Sequence, residues 1–146
     1  LAKVPCLPLR GSCVYQEQKR VILRLPRKVG DALANKLAEL PKKTAFALLT
    51  ELAPDADGCA VWVPGQTEMT AITPEGSRGE RICGCFLMIA TGPAKDGAWW
   101  LEDGFAAFLK PGTWLAFREA VSQKQRLHIP ATDKNMPLCL EWTEAG

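Results

Sequence analysis

The sequence predicts an α+β fold in which antiparallel strands dominate, and three observations support this prediction. Residues 21–26 are almost wholly aliphatic and end at a proline, which is typical of a strand buried on both faces. Turns rich in glycine and proline separate further runs of β-prone residues. Helical spacing of apolar residues is clearest in residues 28–40 and 113–123.

The chain has 146 residues, of which 47% are hydrophobic and 23% charged, and this composition fits one domain with a sizeable core. We expect an irregular arm over residues 1–13, because prolines and a glycine interrupt it, and a single domain over residues 14–146. The core of that domain is expected in residues 16–109, with a C-terminal helix and hairpin over residues 113–142. No apolar stretch approaches the roughly 18–20 residues that cross a bilayer, so we expect no membrane partner.

In the first half of the chain, residues 14–25 are extended and residues 28–40 form the clearest helix, which a proline ends. Residues 45–52 fit a helix or a strand equally well by periodicity. A turn signal at residues 54–58, followed by a short apolar run, favours a β-hairpin over residues 45–63.

The second half is predicted to begin with a β-rich run and a strand that returns after a turn. A short helix, a longer helix capped by Thr113 and a last hairpin follow. These five elements occupy residues 82–91, 98–101, 102–109, 113–123 and 126–142. The short helix is predicted because Phe105, Phe108 and Leu109 would share one face.

The six cysteines are compatible with two redox states. Cys83 and Cys85 lack the C-x-x-C spacing of zinc sites, and in a strand their side chains would point to opposite faces. We therefore expect free, mostly buried thiols in a reducing compartment, no metal and no cofactor. The alternative is a secreted, disulfide-bonded toxin or inhibitor.

No catalytic motif is present in the sequence. His128 is the one histidine, and in a predicted strand it favours an edge or surface position. The acidic residues at predicted turns, Asp96 among them, are typical of solvated turn formers. The sequence therefore predicts no enzyme, and a small hydrolase that uses His128 is the weakest alternative.

Charge is distributed unevenly along the chain. Residues 1–50 carry ten Lys and Arg against three acidic residues, a charge of +7, whereas the remainder carries eight against thirteen, a charge of −5. This asymmetry indicates an anionic partner at one end. Arg20, Arg27 and Lys28, with Arg24, are expected to cluster near one strand end and to contact phosphates or an acidic protein surface.

The paired tryptophans are the second feature that suggests a partner. Trp99 and Trp100 adjoin in a predicted strand, so one faces out if the other faces in. An exposed tryptophan is typical of the centre of a protein interface. The alternative is a core side chain beside one that a loop covers.

The sequence of residues 16–26, QEQKRVILRLP, resembles the opening of the N-terminal domain of TBP-associated factor seven, a TFIID subunit family. As in that family, a basic helical stretch, a segment of the form E-L-x-P-D and a strand with alternating valines follow; here they are residues 28–40, 51–55 and 61–63. The resemblance covers residues 16–109. The family's L-V-D-L-P-C run has no counterpart in this chain.

The resemblance implies a non-enzymatic subunit of a nuclear transcription-initiation complex. The implied fold is a half-barrel of mainly antiparallel strands with two or three short helices, which a larger subunit completes by sharing strands in a heterodimer. Any nucleic-acid contact would be weak or indirect. The resemblance also favours a strand over residues 45–52. The side chains expected at the partner are Ile22, Leu23, Arg24, Leu25, Trp62, Val63, Leu87, Ile89, Trp99 and Trp100.

A DNA-binding protein of plasmid or phage origin is the principal alternative. It requires helices over residues 45–52 and 77–90 and the wing of a winged helix over residues 91–101. The objection is that residues 82–91 are β-prone and make a poor recognition helix.

Overall fold

The computed structural model describes residues 6–40, 45–51, 60–61, 70–71, 81–84, 86–101, 104–132 and 134–144. Within them the chain forms two α-helices, α1 (Gly30–Glu39) and α2 (Pro111–Gln123), and a 3-10 turn over Arg27–Val29 leads into α1. The eleven strands of these residues are β1 (Cys6–Glu17), β2 (Arg20–Pro26), β3 (Ala45–Glu51), β4 (Ala60–Val61), β5 (Thr70–Ala71), β6 (Arg81–Gly84), β7 (Phe86–Thr91), β8 (Gly97–Leu101), β9 (Gly104–Leu109), β10 (Leu127–Ile129) and β11 (Leu138–Thr143).

Nine of the strands form one mixed sheet, and β4 pairs with β5. The sheet runs in the order β10-β11-β2-β1-β3-β7-β9-β8, and β6 also pairs with β1. Five of its pairings are antiparallel, while the pairs β1–β3, β2–β11 and β7–β9 are parallel. The sheet curls into a half-barrel, so the predicted α+β class is confirmed.

The inner face of this sheet packs against both helices. On β2, Val21, Leu23 and Leu25 alternate toward this face and are fully buried. Leu33 and Leu37 of α1 join the same cluster, because they lie about one helical turn apart. Truncating a leucine to alanine in such a close-packed core costs about 2–5 kcal/mol.

The two margins of the half-barrel meet at one point. Ala98 of β8 and Met136 exchange two backbone hydrogen bonds of 2.8 Å, just before β11 begins. The Pro137 carbonyl then accepts a hydrogen bond of 2.9 Å from the Val21 amide, which ties the same segment to β2. The bridge involves one residue of β8, so the rest of that strand continues past it as a sheet margin.

The predicted irregular arm over residues 1–13 is wrong for its larger part, because strand β1 begins at Cys6. The strand accommodates its glycine in a bulge, where the pairing with β3 changes register. Gly11 has a φ of 82° there, and the Ser12 hydroxyl donates to the Leu9 carbonyl.

Residues 45–51 form strand β3, which settles the helix-or-strand ambiguity in favour of a strand. The predicted hairpin over residues 45–63 is wrong, however. Both edges of β3 are already occupied, by β1 and by β7, and β4 pairs with β5 instead. The predicted turn at residues 54–58 lies outside the described residues.

The helix predicted over residues 102–109 is also wrong, because Gly104–Leu109 is strand β9. Phe105, Ala107 and Leu109 enter the helix-packed core, and the residues between them are apolar as well. A continuous apolar run of this kind resembles a helix in periodicity. After the turn at residues 92–97, strand β8 pairs with β9 and not with its predecessor β7.

Helix α2 begins earlier than predicted and takes its cap from elsewhere. Its first residue is Pro111, a favourable residue at that position. The Asp96 carboxylate accepts hydrogen bonds from the Lys110 amide at 2.7 Å and from the Thr113 hydroxyl at 3.0 Å. Asp96 is therefore the capping group, rather than Thr113, and the prediction of a merely solvated turn former at Asp96 is wrong.

The remaining predicted elements are confirmed: α1, the β-rich run that becomes β6 and β7, and the final hairpin of β10 and β11.

The DNA-binding alternative depends on two predicted helices. It requires helices over residues 45–52 and 77–90, and where the structure describes these residues they are strands β3, β6 and β7. That alternative therefore loses its recognition helix.

Candidate protein-interaction surface

Most of the aliphatic residues predicted to bind a partner lie in the interior. Leu23, Leu25, Leu87 and Ile89 are fully buried in the main core, and Ile22 is buried on the opposite face of β2. This prediction is wrong, because β2 lies between β1 and β11, and β7 lies between β3 and β9. Trp62 and Val63 lie outside the residues whose structure is described.

Trp99 and Trp100 lie next to each other on strand β8. Both are half-buried, and they alternate across β8 as expected. Trp100 packs against the main core, and its indole N–H is buried without a hydrogen-bond partner. Trp99 lies on the other face, where its ring centroid is 5.1 Å from that of Phe108.

The outer face of β3, β7, β9 and β8 is apolar across several registered rows. Ala47, Met88, Ala106 and Trp99 form one row across the four strands. Beside it lies a second row that begins with Leu49 and Phe86 and ends at Leu101. We call this surface the apolar face, defined by Ala47, Leu49, Phe86, Met88, Trp99, Leu101, Ala106 and Phe108.

A glycine makes room for the largest buried ring of the apolar face. A Cβ atom at Gly104 would lie 2.5 Å from the Phe86 ring, which is too close for two carbon atoms that are not bonded to each other. Phe86 is 2% exposed, whereas Met88, Trp99 and Leu101 are half-buried. The apolar face therefore combines a packed centre with partly accessible side chains around it.

The β8 margin continues beyond the bridge to Met136. In an antiparallel ladder, alternate residues direct their backbone groups to the same side. Ala98 uses its outer groups on Met136, so Trp100 is the next residue with outward N–H and C=O groups. Within the described part of the chain, we find no strand paired with Trp100 on that side.

The outer face of β1, β2, β11 and β10 differs in character. Arg24 donates a hydrogen bond of 3.3 Å to Glu141, and its guanidinium carbon lies 5.4 Å from the Tyr15 ring centroid. Burial alone would lower the pKa of Arg24, but the neighbouring Tyr15, Glu141 and Cys13 raise it above its usual value. We call this surface the charged face, defined by Cys13, Tyr15, Arg20, Arg24, His128, Cys139 and Glu141.

The basic residues predicted to contact anions are exposed, but they do not form one cluster. Arg20 begins β2, whereas Arg27 and Lys28 follow its far end. A strand of this length separates its ends by about 20 Å. The predicted cluster of Arg20, Arg24, Arg27 and Lys28 at one strand end is therefore wrong.

A thiol and an imidazole adjoin on the charged face. His128 and Cys139 are register partners in the β10–β11 hairpin, and Nδ1 lies 3.3 Å from Sγ. Burial raises the pKa of the Cys139 thiol, Glu141 adds to this effect, and the positive charge of Arg20 opposes it. The predicted edge position of His128 is confirmed, but its contact with Cys139 was not predicted. Cys13 and Cys139 carry thiols and do not form disulfides.

In the part of the chain that the structure describes, no group of three or more His, Cys, Asp or Glu side chains is arranged to hold a metal ion. In the same residues, neither helix is both long and apolar enough to cross a membrane. The exposed apolar side chain of note is Leu115 on α2, at 60% exposure, beside a groove that Ala34, Ala38 and Arg118 help to line.

Comparison with known proteins adds no relative to this description. No protein-family model matches the chain, and no curated protein matches it.

Proposed function

We propose that this chain is a non-enzymatic subunit that binds a larger protein through its apolar face and the adjoining β8 margin. The partner would add a strand beside Trp100 and lay apolar side chains over Trp99. The observation that carries the proposal is the apolar face itself, because it lies outside the helix-packed core and four of its side chains remain half-buried: Met88, Trp99, Leu101 and Phe108.

The β8 margin supplies the backbone half of the proposed contact. A strand that joins a free margin gains main-chain hydrogen bonds, and side-chain pockets then give specificity. The bridge between Ala98 and Met136 limits this addition to the segment from Trp99 to Leu101. The shared surface is therefore narrower than the half-barrel completion that the family resemblance implies.

Tryptophan at the centre of the proposed surface accounts for a large part of the expected affinity. Aromatic residues dominate the binding energy of protein interfaces when a partner excludes water from them. Trp99 already packs on Phe108, so its orientation is fixed before binding. Lys95 lies 5.9 Å from the Trp99 ring centroid and gives the surface a polar rim.

The identity of the partner follows from the family resemblance alone. It makes the largest TFIID subunit the proposed partner, the nucleus the proposed location and transcription initiation the proposed process. The exposed Arg20, Arg27 and Lys28 are available for a weak contact with nucleic acid in such an assembly.

Recovery of the partner tests this proposal. The full chain, tagged and incubated with nuclear extract, is expected to retain the largest TFIID subunit, which mass spectrometry identifies. Trp99→Glu should abolish retention, whereas Leu115→Glu, an equal change of charge on α2, should not. Retention that is equal for both variants, or no retention of that subunit by the unmodified chain, would contradict the proposal.

A further inference from the structure

We propose that Cys139 is a modification site whose thiol is oxidised to a sulfenic acid by a small hydroperoxide, with His128 acting as the base. This inference concerns the charged face and does not depend on the proposed partner. It rests on the distance of 3.3 Å between His128 Nδ1 and Cys139 Sγ, which is that of a nucleophile beside its base.

The hairpin geometry keeps the two groups together. His128 and Cys139 are paired across β10 and β11, so their side chains emerge side by side on one face. The imidazole is exposed at the sheet edge, and it can therefore exchange its proton with water. Arg20 adds a positive charge that favours the thiolate.

The proposed reaction is balanced within the site. The Sγ proton moves to Nδ1 of His128, and the thiolate attacks one oxygen of the hydroperoxide. The S–O bond forms as the O–O bond breaks, so the sulfur is oxidised and the peroxide is reduced. The departing hydroxide or alkoxide takes the proton back from His128 and leaves as water or an alcohol.

Burial selects the oxidant by size. Cys139 is 7% exposed, so a reagent of nearly the size of water can reach the sulfur while a bulky one cannot. Burial also keeps the thiol protonated, because it raises the pKa of Cys139. The reaction therefore depends on an adjacent base rather than on a standing thiolate.

The chain carries its own matched control. Cys13 is equally buried, at 5% exposure, and belongs to the same apolar cluster on the outer face. It lies on β1, which β2 and β11 separate from β10, and His128 is the one histidine of the chain. The two thiols are thus similarly buried, and His128 adjoins Cys139.

The test uses the folded, reduced full chain and limiting hydrogen peroxide. After each reaction time the chain is unfolded in excess dimedone, which then reaches and traps each sulfenic acid, and peptide mass spectrometry gives one rate for each cysteine. Cys139 is expected to react about tenfold or more faster than Cys13, and His128→Gln should remove that advantage, since general-base assistance commonly supplies such factors. Arg126→Gln, a loss of charge next to the same strand, should leave both rates unchanged.

A second variant separates proton transfer from packing. Added imidazole should restore the Cys139 rate in His128→Gly, a rescue that a purely structural histidine would not allow. Equal rates for Cys139 and Cys13 would overturn the proposal. An unchanged Cys139 rate in a folded His128→Gln protein would overturn it as well.

Discussion

The charged face and the apolar face are two outer surfaces of the same sheet, and they present different kinds of side chain to water. On the charged face, Arg24 and Glu141 pair with each other, so these two charges are compensated within the chain. On the apolar face, the surfaces of Trp99 and Met88 are mostly carbon, which water cannot hydrogen-bond, and both side chains remain half-buried. One sheet can therefore carry one surface whose charges are paired within the chain and another whose apolar side chains would be stabilised by a covering partner.

The largest expected effect concerns binding at the apolar face. Trp99→Glu places a charge at the proposed centre of the interface and should weaken binding of the largest TFIID subunit by roughly 100-fold. Isothermal titration calorimetry with the purified subunit measures this loss. Leu115→Glu on α2 is the control and should bind as the unmodified chain does. A Trp99→Glu protein that binds normally would show that the apolar face is not the binding surface.

The next effect concerns folding at the same face. Gly104→Ala should lower the free energy of unfolding by about 1–3 kcal/mol, because the new methyl group overlaps the Phe86 ring. Urea denaturation measures the change. Gly112→Ala is the matched control, since a Cβ there meets nothing within 4 Å. An unaltered urea midpoint for Gly104→Ala would mean that the centre of the apolar face is loosely packed.

On the charged face a comparable change should matter less. Arg24→Met keeps the unbranched stem of the side chain and removes the ion pair with Glu141. The two side chains of that pair are 35% and 29% exposed. Partly exposed pairs contribute less than about 1 kcal/mol, and salt screens them, so only a small shift of the urea midpoint is expected. A loss as large as that of Gly104→Ala would contradict the distinction between the two faces.

The smallest expected effect is a pH dependence of stability from Cys139. Its pKa is raised in the folded protein, so the stability that its buried thiol contributes is present below the unfolded pKa and is lost as pH rises through the folded value. Between about pH 8 and pH 10, around the ordinary thiol pKa, the unmodified chain should lose more stability than Cys139→Ala. Urea denaturation of both proteins at the two pH values measures these losses of stability.

The sequence predicts what depends on short-range pattern. The α1 helix and strand β2 follow from apolar spacing, and the final hairpin follows from two β-prone runs around a polar connection. Apolar spacing does not identify strand β9, because its side chains are apolar on both faces of the sheet. An apolar run then has no period that distinguishes a strand from a helix.

Strand pairing and the surfaces need information that one sequence does not contain. The prediction of a hairpin over residues 45–63 takes no account of strand β1, which pairs with β3 although it lies much earlier in the sequence. The cap of α2 comes from Asp96, outside the helix, so no local motif identifies it. One signal was available for the apolar face: strands β7 and β9 are apolar at nearly every position, more than a half-exposed sheet needs.

Hydrogen–deuterium exchange, measured with and without the co-expressed largest TFIID subunit, shows whether a partner covers the β8 margin and the apolar face. The subunit should slow exchange in β8, around Trp100, and leave β10 and β11 unchanged. The isolated chain should self-associate through the uncovered apolar face. A stable, well-dispersed monomer whose β8 exchange the subunit does not alter would contradict the claim.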